Sequence, residues 1–207
     1  MHFDIGKKMA RRSDHSREEL KELALKSTEE LLNEKSASEL STRQIATKMG
    51  YTVGTLYQIF ENLPDLLLHV NARTLAILYQ DCQKLKLSTQ DAEQNILAYA
   101  NLYLQFAHTH PGLWELIFDS NVLTDKELPD WYLSRANALF SLIEVQLKDI
   151  TPDKSQLEIT KTSRVLWSSV HGICTLSINN NLFANSACSS EELIESLVKH
   201  FIKGWAS

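Results

Sequence analysis

Between Ser41 and Phe60 the chain places Thr42, Arg43, Thr47, Lys48, Thr52, Thr55, Tyr57 and Gln58, all hydroxyl or N–H donors, and no carboxylate in 20 residues. The whole chain is 23% charged and carries a net charge of −5. An acid-free window of donors in such a chain is a surface suited to a polyanion, and phosphate oxygens and base edges are read by these groups. A second concentration is aromatic. Trp167 and His171 lie one helical turn apart and share a face. With Tyr99, Tyr103, Phe106, Trp114 and Phe118 they could line a cavity for an apolar or aromatic small molecule, or simply pack a core. Catalytic chemistry finds little support. Ser168, Ser169 and His171 are close in sequence, but that spacing on one helix makes no triad. Cys82, Cys174 and Cys188 are odd in number and widely spaced, which fits reduced thiols and offers no zinc pattern. His108 and His110 precede a proline and fit a helix end better than a metal site. No phosphate loop or dinucleotide fingerprint occurs. The expectation is therefore no catalytic residue, no metal and no cofactor.

The donors need short helices to present them. Ser41 followed by Gln44 matches a capping box, and Ile45, Ala46 and Met49 then give one apolar face. Gly50 ends that helix, because glycine adopts φ > 0 without strain. Thr52 is placed to cap the next, whose Val53, Leu56 and Phe60 face inward. Gly54 lets the N-terminus of that helix come close to a duplex. Two short helices joined by a glycine turn form a helix-turn-helix, the second lying in the major groove. Longer neighbours must hold them. Ser16 with Glu19 opens a helix of about five turns before them. Asn62 and Pro64 open one of about six turns after them.

Beyond residue 90 the periodicity stays helical: 92–110, ended by Pro111 and Gly112, then a shorter helix from Leu113, a long amphipathic one over 128–150, another from Gln156, and a last one capped by Ser190. The fold expected is all-α with about nine helices, without strand alternation. The expected division is a basic arm with a DNA-binding domain over 1–61 and a second, helical domain over 62–207. Residues 1–60 carry 10 basic and 9 acidic side chains, and the remainder is acidic. The arm Lys7, Lys8, Arg11, Arg12 and Arg17 has one acid among them and could touch DNA phosphates. No apolar run spans a bilayer and no signal peptide opens the chain, so a cytoplasmic location is expected.

The stretch STRQIATKMGYTVGTLYQIFENLPDLL resembles the DNA-binding signature of the TetR (tetracycline-repressor) family, through Ile45, Ala46, Gly50, Gly54, Thr55, Leu56, Tyr57, Phe60, Asn62 and Leu66. The resemblance implies that Thr42 and Tyr57 bind phosphate and that Arg43 reaches a base edge. It implies further that Thr52, Gly54, Thr55 and Gln58 form the recognition helix, with Lys48 as another phosphate contact. One position departs. The family's usual lysine after the asparagine is Leu63 here, which removes a charged phosphate contact.

Trp167, His171 and Gly172 are similar to a W-x-x-x-H-G subclass of the same regulators, and HPGLWELIF resembles it too. That similarity implies a ligand site built from Trp167 and His171 with the aromatics named above. The family usually dimerises through its last two helices. Their apolar stripes here include Leu166, Val170, Ile173, Ile194, Leu197, Val198 and Phe201, the expected interface. Two copies would read a palindromic double-stranded DNA operator. The function expected is a homodimeric repressor released by a small-molecule effector. The alternatives are a nucleoid-associated protein without sequence preference, and a helical small-molecule-binding protein or enzyme.

Overall fold

The computed structural model describes residues 15–87, 91–119, 127–178 and 188–206, and these contain nine α-helices and no strand. α1 (Arg17–Leu32) starts with a full capping box: the Ser16 hydroxyl accepts from the Glu19 amide, and the Glu19 carboxylate accepts from the Ser16 amide at 2.6 Å. A one-turn 3-10 helix (Ala37–Glu39) follows, in a stretch whose sequence shows only a break in periodicity.

α2 (Thr42–Met49) is capped by Ser41, whose oxygen accepts from the Gln44 amide. The Gln44 side chain does not close the reciprocal half of the box; its carbonyl oxygen takes the Ser41 hydroxyl proton instead, at 3.0 Å. Gly50 sits at φ 76° in the left-handed region. The Tyr51 amide reaches the Ala46 carbonyl (2.9 Å) and the Gly50 amide reaches Thr47 (3.0 Å), the paired bonds of a Schellman ending. α3 (Val53–Tyr57) is barely more than one turn and buries Leu56. Phe60 is buried just past its end.

α4 (Leu63–Lys84) is capped by Asn62, which accepts from the Asp65 amide at 2.9 Å, with Pro64 in the first turn. α4 packs on α1 and also on the helices of the C-terminal part. Arg73 on α4 pairs with Glu22 and Glu29 of α1. α5 (Ala92–Thr109) and α6 (Pro111–Leu116) share His110 as boundary residue, so Pro111 opens α6 as well as closing α5. α7 (Asp130–Ile150), α8 (Gln156–Ile178) and α9 (Ser190–Ala206) complete the bundle. The cap of α9 is Ser189, not Ser190: the Ser189 hydroxyl and amide pair with the Glu192 amide and carboxylate, while the Ser190 hydroxyl bonds Ser177 at 2.7 Å.

One continuous apolar core runs from α1 to α9. Leu166 and Val170 on α8, and Ile194 and Val198 on α9, are at most 4% exposed inside a single chain. This corrects their assignment to a dimer interface. The two apolar stripes face inward, where α8 and α9 pack against each other and against α5. Ile173, Leu197 and Phe201 keep partial exposure, but they too pack on this core. The outward face of α8 instead carries Leu157 (65% exposed) and Val165 (54%). No described helix is long and apolar enough to cross a membrane.

Candidate DNA-binding face and effector cavity

Three buried anchors set the angle between α2 and α3. Ile45, Ala46 and Leu56 are at most 2% exposed, and each larger one contributes about 2 kcal/mol by leaving water. With these faces turned inward, the opposite faces must be solvent-facing. Arg43, Thr47, Lys48, Thr52, Gly54, Tyr57 and Gln58 are exposed, and Thr42 and Thr55 are half-exposed. The structure thus brings all nine of these residues, singled out from the sequence, onto the open side of the helix-turn-helix. Tyr57 is 54% exposed, so its ring is not a packing element.

Two details alter the picture drawn from sequence. Lys48 is already paired with Glu30 of α1 at 3.3 Å, so a phosphate must compete with that carboxylate. Lys35, which sequence reasoning passed over, lines the same shallow concavity as Ser41, Arg43 and Lys48. Its place in the linker after α1 gave no periodic signal. Leu63 is half-buried and packs on the core, which is how a leucine serves where a phosphate-binding lysine was expected. Gly54 has room for a side chain: an added Cβ would meet only the Thr52 hydroxyl, at an ordinary 3.7 Å. Nothing within the chain therefore requires glycine there. The arm residues Lys7, Lys8, Arg11 and Arg12 lie outside the described residues, while Arg17 is exposed at the start of α1.

The second site is a partly open cavity of about 350 Å³ between α4, α5, α7 and α8. Tyr99, Tyr103, Phe118 and Trp167 stand at its wall. Phe106, Trp114 and His171 do not. Phe106 packs on the His110 ring at 5.0 Å. Trp114 and His171 form the layer behind the wall: the imidazole stacks on Trp114 (4.8 Å) and on Trp167 (5.3 Å) and touches Phe118 (4.3 Å). Its Nδ1 shares a hydrogen bond of 3.0 Å with the Tyr103 hydroxyl. Burial lowers the pKa of His171 and raises that of Tyr103, so both stay neutral at pH 7. Sequence reasoning missed Tyr132, Leu139, Phe140 and Ile143 of α7, which supply much of the wall. The last three follow helical spacing, but spacing alone does not separate a cavity wall from a core. Among the described residues no cluster of three or more metal-ligating side chains occurs.

Two short helices at a glycine corner, their donor face open and their backs anchored by long helices, make this a helix-turn-helix DNA-binding protein with an attached all-helical domain. Comparison with known proteins narrows the class. Residues 24–70 match the family described as bacterial regulatory proteins, tetR family, and residues 96–201 match the tetracyclin repressor-like C-terminal domain. The chain belongs to the TetR family of transcriptional regulators. No curated protein matches the chain significantly in sequence. Among solved structures, a protein of unknown function from Rhodococcus sp. RHA1 is 19% identical with a TM-score of 0.76, over 95% of this chain and 100% of that one. A TetR-family transcriptional regulator from Streptomyces coelicolor is 17% identical with a TM-score of 0.67, over 90% and 99%. RolR in complex with resorcinol is 10% identical with a TM-score of 0.65, over 91% and 88%. These likenesses establish the shared fold.

Proposed function

We propose that the protein is a homodimeric, sequence-specific repressor, released from a palindromic operator when a small molecule fills the cavity between α4, α5, α7 and α8. The observation that carries this is the double role of α4. Its first turn, capped by Asn62, follows directly on α3, and Leu75, Leu78 and Cys82 in its later turns line the cavity. A ligand that fits the cavity only when α4 is displaced favours a state with differently placed recognition helices, and DNA affinity falls by that preference. The resorcinol complex of RolR supports ligand entry into this fold.

In this reading Thr42, Lys48 and Tyr57 bind phosphate, Arg43 reaches a base edge, and Thr52, Gly54, Thr55 and Gln58 approach the major groove. Dimerisation uses the outer faces of α8 and α9. Gly172 supports this: an added Cβ would meet nothing within 4 Å, and it lies on the same side of α8 as the exposed Leu157 and Val165. A mid-helix glycine costs about 1 kcal/mol against alanine. Close approach of a second copy's helix gives it a reason. The location expected for such a regulator is the cytoplasm.

The test is binding to the DNA upstream of the protein's own gene against scrambled DNA of equal length, over a salt series. Specific binding tighter by about a hundredfold, lost on Arg43→Ala or Tyr57→Phe, supports the repressor reading. Equal binding to both sequences with the same salt slope would favour a nucleoid-associated role instead.

A further inference from the structure

The cavity's lining says what it accepts, given the reading of it as the effector site. No charged side chain stands among the described residues that line it. Arg164 lies over the ring of Phe140, one of the lining residues, at 3.5 Å and is already paired with Glu144 at 2.9 Å. A carboxylate or ammonium inside would lose its hydration and find no counter-charge. Size sets a second bound. A cavity of roughly 150 Å³ accommodates benzene, so one of about 350 Å³ holds a molecule of about two rings.

The polar groups of the wall give a third. The Tyr103 hydroxyl is already committed to His171. The Tyr132 hydroxyl is not: the ring is 4% exposed, it lines the cavity, and no hydrogen-bond partner is found for it among the described residues. That hydroxyl oxygen keeps some accessible surface, so at the cavity wall it is able to bond a ligand oxygen. Tyr99 is in a similar position but more open, at 8%.

We propose that the effector is an uncharged, largely hydrocarbon molecule about two rings in size, with a neutral oxygen hydrogen-bonded by Tyr132. Tyr132 is thus the specificity-determining residue of the cavity, and acidic or cationic ligands of the same size are excluded.

The test is calorimetric titration of the folded full-length protein, without DNA, by naphthalene, 2-naphthol and 2-naphthoate at pH 7.5. Naphthalene and 2-naphthol are expected to bind, 2-naphthol about fivefold tighter through one hydrogen bond. 2-Naphthoate is expected to bind at least about a hundredfold more weakly than 2-naphthol. Tyr132→Phe should erase the preference for 2-naphthol over naphthalene while leaving naphthalene binding unchanged, and Tyr99→Phe should keep it. The proposal is overturned if 2-naphthoate binds as tightly as 2-naphthol, or if neither neutral probe binds the folded protein. It is equally overturned if the preference survives Tyr132→Phe or disappears with Tyr99→Phe. Operator binding is measured separately on the same preparation. Its failure alongside normal probe binding would sink the repressor reading and leave the cavity chemistry standing.

Discussion

At the scale of single residues, Gly54 and His171 separate function from folding. Gly54 sits on the exposed side of α3 with space for a side chain, yet glycine weakens a helix. Gly54→Ala is expected to stabilise the fold by about 0.5–1 kcal/mol. The same change should weaken DNA binding by roughly tenfold, about 1.4 kcal/mol, because the methyl group holds the backbone away from the duplex. Urea unfolding and a DNA titration on one preparation give both numbers; a variant that binds DNA as tightly as the parent removes the close-approach argument. His171 bears on pH. Its pKa is lowered by burial, and that of His69 is lowered by burial and by Lys21 against the opposing Asp65. Both bind protons more readily in the unfolded chain. Their contribution is therefore complete above about pH 6.5 and is lost as pH falls below that value toward their lowered folded values. Urea unfolding at pH 7.5 and 5.5 should show this loss, and His171→Gln should make it smaller. An equal loss in both proteins would mean that His171 is not among its sources.

At the scale of elements, α6 joins the two parts of the molecule more closely than its six residues suggest. An added Cβ on Gly112 would lie 2.0 Å from the Leu32 carbonyl oxygen at the end of α1. Asn71 of α4, fully buried, donates its side-chain amide to the Leu116 carbonyl at the other end of α6, at 2.9 Å. α6 thus touches the end of α1 and is tied to α4, while its own Trp114 stacks on His171 of α8 behind the cavity wall. Gly112→Ala has no flexible neighbour to yield, only backbone, and should cost about 2 kcal/mol in stability. A thermal melt settles it: an unchanged midpoint would show that α6 shifts away from α1 at no cost. A second tie runs beside it, where Trp131 at the start of α7 stacks on His69 of α4 at 4.7 Å.

At the scale of the whole molecule, the proposed dimer would assemble through the outer face of α8. Gly172 leaves that face open at its middle, between a half-buried Leu176 and the exposed Val165. Gly172→Leu adds bulk only outward, so the single chain should fold normally. Light scattering after gel filtration should then report a monomer where the parent is a dimer, and specific operator binding should fall with it because two half-sites are no longer read together. A dimer of unchanged mass would place the interface elsewhere.

The local signals in the sequence determined most of the helices and the donor face. Capping residues Ser16, Ser41 and Asn62, the glycine at position 50 and the proline at position 64 act within a few residues, so their effect is readable without a fold. The alternation of Ile45, Ala46 and Leu56 with exposed donors did the same for the surface offered to DNA. Ser189 displaced Ser190 as a cap because Glu192 stands at the capping-box spacing from Ser189 and Leu193 at that spacing from Ser190. What tertiary structure alone decided is which apolar surface faces what. Leu166, Val170, Ile194 and Val198 form stripes that periodicity cannot assign to an interior or to a second copy, and only their packing among α5, α7, α8 and α9 buries them. Trp167 and His171 share a helical face, yet one lines the cavity and the other stands behind it, because Trp114 and Phe118 arrive from a different part of the chain. Tyr132 became visible for the same reason: a cavity is the space left between several helices, and no single helix encodes it.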